Sequence, residues 1–142
     1  QSFITVAADF NLTPENAPTN PAFTTFESLA ASINSGLKMY GIIPYDRYAG
    51  CVGIMDSGSG GIFYIERLAV LPEERHRGYG KELLDFACNL AASCNGTTAA
   101  VGIINENEIL RNWYIKNGFA ETGTRKFNHL PFTVCFMQKK LA

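Results

Sequence analysis

Arg75-His76-Arg77-Gly78-Tyr79-Gly80 stands where an apolar, strand-like run gives way to an amphipathic helix. Two glycines two residues apart at such a junction make a phosphate cradle. Backbone N–H groups at a helix N-terminus lack intrahelical partners and carry about half a positive charge, so they draw an anion once bulky side chains are out of the way. Gly78 and Gly80 clear that approach. Spacing rejects two loops of this kind. A dinucleotide fingerprint needs a third glycine three positions after the second, where Leu83 stands. A Walker loop needs a glycine five positions before its Gly-Lys pair and a Ser or Thr after it, where this chain has Arg75 and Glu82.

Upstream lies Tyr64-Ile65-Glu66-Arg67-Leu68-Ala69-Val70-Leu71-Pro72, and downstream Asn107-Glu108-Ile109-Leu110-Arg111-Asn112-Trp113-Tyr114-Ile115-Lys116-Asn117-Gly118-Phe119. The cradle resembles the Arg/Gln-x-x-Gly-x-Gly/Ala motif of the GNAT superfamily of N-acetyltransferases, which holds the pyrophosphate of acetyl-coenzyme A. The upstream segment looks like that family's fourth strand and the bend leaving it. The downstream segment looks like its fourth helix, closed by Tyr-x-x-x-Gly-Phe. Order and separation of the three agree with the family, and the terminal strand, Phe132 to Met137, fits more loosely.

The 142 residues read as a single domain spanning 1–142, long enough to bury a core and too short for two domains of ordinary size. A hydrophobic content of 46% against 18% charged describes a globular chain rather than a disordered one. A net charge of −1 without blocks of like charge gives no footprint for nucleic acid. No apolar run approaches the roughly 20 residues that span a bilayer, and no signal peptide is evident, so no membrane partner is expected. Cys51, Cys88, Cys94 and Cys135 form no Cys-x-x-Cys pair and have no histidine at ligand spacing. They read as core thiols of a reduced, cytoplasmic protein without a metal. No internal repeat stands out.

Phe3 to Val6 is expected to begin the sheet, and Thr13-Pro14-Glu15-Asn16 to open a short helix. Phe23, Phe26, Leu29, Ala30 and Ile33 recur at helical spacing, predicting one amphipathic helix from Pro21 to Ile33 that ends near Gly36. Strands are predicted over Leu37 to Ile43, Ala49 to Met55 and Ile62 to Val70, separated by turns at 44–47 and 56–61. Leu83, Leu84, Ala87, Leu90, Ala91 and Cys94 line one face of a helix closed by Asn95-Gly96. The apolar run Ala99 to Ile104 suits a strand buried on both faces. A helix over 107–117 ends on a left-handed Gly118, and residues 120–127 and 132–139 pair across 128–131. This is an α/β chain with a mixed, mostly antiparallel sheet and flanking helices, the order of the GNAT fold.

What the resemblance implies for chemistry is specific. Acetyl-CoA is the co-substrate. Backbone groups of Leu68, Ala69 and Val70 face the pantetheine and thioester carbonyl, where the family's fourth and fifth strands splay. The cradle of Arg75, His76, Arg77, Gly78, Tyr79, Gly80 and Lys81 holds the phosphates, its basic side chains reading otherwise as solvated surface. Tyr114 becomes the general acid for the leaving thiolate, or, on packing grounds alone, a half-buried helix aromatic. Asn107 holds the pantetheine amide or simply caps its helix. Strict alternation sets Tyr64, Glu66 and Leu68 on one face, making Glu66 a base, an anchor for a cationic acceptor or a surface acid. Histone-acetylating relatives carry their glutamate where this chain has Tyr64. His129 could line the acceptor side, while Trp113 and Phe132 read as core. The expected partner is a small-molecule or peptide amine, with a homodimer left open. A noncatalytic CoA-binding module and a user of another acyl-CoA are the rival readings.

Overall fold

The computed structural model describes residues 2–17 and 21–142. Six strands form one sheet in the order β1-β2-β3-β4-β6-β5: β1 is Lys38–Ile42, β2 Gly50–Asp56, β3 Ile62–Val70, β4 Thr98–Ile104, β5 Ala120–Lys126 and β6 Thr133–Lys140. Every neighbouring pair is antiparallel except β3 with β4. The parallel joint follows from the helix Tyr79–Ser93 crossing between those two strands, since parallel neighbours need a crossover.

That crossover helix, α3, follows α1 (Ser2–Asp9) and α2 (Phe26–Asn34), and α4 is Glu108–Lys116. α3 buries Leu83, Leu84, Ala87, Cys88 and Ala91 against Val52 and Ile54 of β2, Phe63 and Ile65 of β3, and Ala99, Val101 and Ile103 of β4. Full burial of one leucine such as Leu84 stabilises by about 1.5–3 kcal/mol. Asn95 takes the left-handed conformation past the helix end, at φ 65. Gly96 follows because a Cβ there would stand 2.6 Å from the Ala91 carbonyl oxygen and 2.7 Å from the Phe63 ring. Gly118, at φ 92, ends the last helix as its sequence predicts, and Phe119 N–H donates back to the Tyr114 carbonyl.

A second, smaller cluster joins Ala7, Leu12 and Ala17 to Ile104, with Phe23 and Phe132 packed alongside. Ile103 belongs to the α3 core and Ile104 to this cluster, so the two lie on opposite faces of β4.

Three N-terminal expectations are corrected. Phe3 to Val6 is part of α1, not a strand: β-branched Ile4, Thr5 and Val6 favour extension locally, but packing of Val6 and Ala7 in the second cluster decides. Thr13 to Asn16 is one turn rather than a helix, closed by Thr13 N–H to Asn16 Oδ1 at 2.7 Å and Asn16 N–H to Thr13 Oγ1 at 3.1 Å. The stretch from Pro21 divides into a 3-10 turn at Pro21–Phe23 and α2, because Thr25 caps a new helix by exchanging hydrogen bonds with Ser28. Phe26 is consequently 84% exposed instead of facing the core. No described helix is long and apolar enough to cross a membrane.

Candidate active site

β3 and β4 are in register over only three pairs, Ile62 with Thr98, Phe63 with Ala99 and Tyr64 with Ala100. Beyond Tyr64 the strands part. Along β2 the register moves from Gly53 to Cys51 while β3 moves from Glu66 to Ala69, so β3 carries one extra residue. This bulge contains Arg67 at φ 54. A left-handed conformation costs an L-residue about 1–2 kcal/mol relative to the right-handed one, and the Cys51 thiol, donating to the Arg67 carbonyl at 3.4 Å, helps hold it.

The bulge corrects the predicted alternation. Phe63 and Ile65 face the α3 core before it, and Leu68 and Val70 pack on that core after it. Leu68 is therefore not on the face of Tyr64 and Glu66. Those two stay exposed on the opposite face, which also carries a groove of about 470 Å³ lined by Tyr64, Gly102, Thr124, Phe136 and Gln138. Glu66 does not line the groove, and among the described residues it forms no ion pair.

β3 leads through a 3-10 turn, Pro72–Glu74, to the cradle. Gly78 caps α3 at φ 84 with no side-chain hydrogen bond, and a Cβ on it would meet nothing within 4 Å. Among the described residues the N–H groups of Arg77 through Lys81 have no hydrogen-bond partner; the first return bond is from Glu82 N–H to the Gly78 carbonyl. Open space faces unpaired donors at a positive helix end, which fits a phosphate. Gly80 would bring a Cβ to 3.5 Å from Trp113 of α4 and 3.8 Å from Val70 of β3. Helix start, splayed strand and α4 therefore meet at one point.

The basic side chains around the loop are mostly occupied. Arg75 donates from Nε to the Val70 carbonyl and from Nη2 to Thr5 Oγ1. Arg77 and Arg47 both approach Glu74, at 3.3 and 3.2 Å. Lys81 pairs with Asp85 one turn along α3, an exposed pair worth about 0.3–0.5 kcal/mol and easily given up. His76 is exposed at φ 63 and Tyr79 half-buried at the helix start. The backbone is thus the part of the loop already arranged for an anion. Glu74, only 4% exposed, escaped the sequence reading because its arginines come from separate loops. Its Oε2 lies in ion-pair range of Arg77 without hydrogen-bond alignment. Only the carboxylate is buried, since both arginines are more than half exposed, so solvent screens each of the two pairs.

Asn107 caps α4, its Oδ1 accepting from Leu110 N–H at 3.2 Å; this leaves Nδ2 without a partner among the described residues. Trp113 packs partly buried on the α3 core and Phe132 on the second cluster. His129 is exposed in the β5–β6 turn beside Phe127.

Tyr114 is 5% exposed, edge-on to Trp113 and Phe119. Burial, and then Cys88, pushes its phenol above the ordinary 10.0. The sealed, unpartnered side-chain atoms among the described residues are Arg67 Nε and Glu74 Oε2. The Tyr114 hydroxyl has no hydrogen-bond partner among the described residues, on a ring that is almost wholly buried. Because the folded phenol holds its proton more tightly, its contribution to stability is complete below pH about 10 and declines above it, where the unfolded chain releases its proton first. Thermal melts across that range should show the decline in wild type and a shallower one in Tyr114→Phe. Equal slopes would refute the assignment.

Among the described residues no cluster of His, Cys, Asp and Glu is suited to a metal. The family model described as an acetyltransferase (GNAT) domain matches residues 39–121, more than half of the chain, which defines an acetyltransferase. The chain belongs to the GNAT acetyltransferase family. Solved structures share the fold. The ribosomal-protein-S18-alanine N-acetyltransferase from Escherichia coli superposes with a TM-score of 0.73 at 14% identity, covering 84% of this chain and 78% of that one. A GNAT acetyltransferase from Elizabethkingia anophelis with acetyl-CoA bound gives 0.72 at 18% identity, covering 82% and 84%. Nourseothricin acetyltransferase gives 0.70 at 20%, covering 77% and 68%.

Proposed function

We propose that this chain transfers an acetyl group from acetyl-CoA to a primary amine, directly, within a ternary complex. The observation that carries the reading is the row of unpartnered N–H groups from Arg77 to Lys81, set where β3 parts from β4. Acetyl-CoA supplies the activated thioester. The Gly78 to Lys81 amides hold its phosphates, Asn107 Nδ2 is free to donate to an amide carbonyl of its arm, and backbone beyond the bulge orients the reacting carbonyl. Tyr114 keeps its proton at neutral pH and delivers it to the departing thiolate. The absence of cysteine from a recognisable nucleophile position supports direct transfer. Four free thiols support a reducing, cytoplasmic setting.

Glu66 stands exposed on the acceptor face, and its role is read by kinetics. As an electrostatic anchor for the ammonium, Glu66→Gln raises KM several-fold and leaves kcat near wild type; as a base, the same change depresses kcat and erases the acidic limb of the pH profile. We favour the anchor. CoA release over a panel of amines, with acetyl-CoA as donor, tests the whole reading: no turnover with any amine would leave a noncatalytic CoA-binding module, which the deep burial of Tyr114 favours.

A further inference from the structure

Gly102 is a poor residue for its place by local criteria. It sits inside β4, a central strand of the sheet, where glycine forgoes side-chain packing and weakens the strand. Neither backbone nor space asks for it. Its φ is not positive, and a Cβ there would stand 3.5 Å from Val134 and 3.7 Å from Phe136, at ordinary contact distances. A strand glycine that neither conformation nor crowding explains marks a place where another molecule comes close.

Val101 and Ile103 are buried in the α3 core, so the exposed Gly102 between them faces the other way, toward the side of Tyr64 and Glu66. It lies two residues past Ala100, the last β4 residue paired with β3, just as Glu66 lies two residues past Tyr64. Glu66 and Gly102 thus flank the parting of the strands, where the proposed function puts the thioester. From Gly102 the groove of about 470 Å³ runs back over Ala100 between Tyr64 and Phe136, and a smaller hollow of about 220 Å³ leads toward Leu130 and Phe132. The open floor is therefore continuous with the parting. That floor is bare, and its walls are aromatic: Tyr64 is 44% exposed and Phe136 38%. β3 and β6 flank β4 and lie about 10 Å apart, which leaves width for one flat ring above Ala100 and Gly102. Rings gain from edge-on and offset contacts with other rings. The larger groove has the volume of a small-molecule site. Glu66, without an ion pair among the described residues, supplies the charge for an ammonium at the end beside the parting.

We infer that the acceptor is an amine carrying an aromatic ring, with the ring lying over Ala100 and Gly102 between Tyr64 and Phe136 and the ammonium directed toward Glu66. This rests on the acetyltransferase reading above and names its substrate class. Gly102 is glycine because the ring occupies the space that a side chain would fill.

Phenethylamine, cyclohexylethylamine and ethylamine, each followed by CoA release with acetyl-CoA as donor, test it. Wild type should prefer the phenyl over the ethyl acceptor by about tenfold or more in kcat/KM, carried mainly by KM, with the thicker cyclohexyl ring in between. Gly102→Leu, which raises a side chain from the floor, should bring the phenyl-to-ethyl ratio to within about twofold while CoA stabilises the variant as it does wild type. Gly102→Ala adds only the Cβ and should keep the melting temperature and part of the preference. Tyr64→Ala removes a wall and should lower the same ratio several-fold, so the test stands even if Gly102→Leu fails to fold. Equal use of the phenyl and ethyl acceptors by wild type overturns the inference without needing a variant, and so does a cyclohexyl acceptor used as well as the phenyl one. A Gly102→Leu loss that is equal across the acceptors, or one that weakens CoA binding, also overturns it, since either assigns Gly102 to the fold or the co-substrate. Acetylation confined to amines without a ring overturns this inference and spares the acetyltransferase reading. No acetylation of any amine overturns both.

Discussion

Tyr114→Phe will lower turnover by about 10²- to 10⁴-fold, the range typical of lost acid help, and leave acetyl-CoA affinity within a few-fold of wild type. The structure makes this substitution unusually clean. The ring keeps its edge contacts with Trp113 and Phe119, and the hydroxyl has no partner among the described residues whose loss would strand a buried group. A fall in kcat with an unchanged neutral-pH melting temperature therefore reports on chemistry. Unchanged kcat on a good acceptor would make Tyr114 a packing residue and shift the balance toward a CoA-binding module.

Gly80→Val should abolish stabilisation by CoA. A ligand at one hundred times its Kd stabilises by about 2.7 kcal/mol, close to 8 °C for a chain of this size. Gly78→Val should abolish it too, but its φ of 84 strains any L side chain, so some loss of stability precedes any effect on binding. Gly80 lies inside α3 without positive φ, and its Cβ meets Trp113 and Val70 at ordinary contact distances. Valine's methyls reach on from that Cβ beside Trp113 and Val70, so the shift is read against the variant's own melting temperature without CoA. A full CoA shift retained in Gly80→Val would place the phosphates elsewhere.

Most of the chain from Lys38 onward was legible because its periodicities are unambiguous. Leu83, Leu84, Ala87 and Ala91 recur at helical spacing, and all four are buried on one face of α3. Ala99 to Ile104 reads as a continuous apolar run because Ile103 and Ile104 are both covered, from opposite sides. Phe3 to Val6 defied reading for lack of length: four apolar or β-branched residues fit either period, and Ala7 and Leu12 settle the matter only through contact with Ile104, far along the chain. The bulge was invisible for a different reason. Arginine rarely adopts φ near 54, so nothing in Glu66-Arg67-Leu68 announced an extra residue, and strict alternation put Leu68 on the wrong face. Glu74 reads as one acid in a surface turn until Arg47 and Arg77 close on it. The helix start at Gly78 was thus foreseeable from glycine spacing, whereas the bulge and the side-chain partnerships depend on residues that meet only after folding.

The short pairing between β3 and β4 makes the sheet two three-stranded leaves, β1-β2-β3 and β4-β6-β5, bound along a spine of three residue pairs. α3 packs across both leaves and serves as the cover that keeps the book from falling open. Past the spine, the inner edge of each leaf presents peptide groups that a neighbouring strand would ordinarily satisfy. An extended arm carrying its own amides, laid into that gutter as proposed for acetyl-CoA, would take the place of the missing strand and bind the two leaves together. A co-substrate of that shape would in this sense be a removable seventh strand.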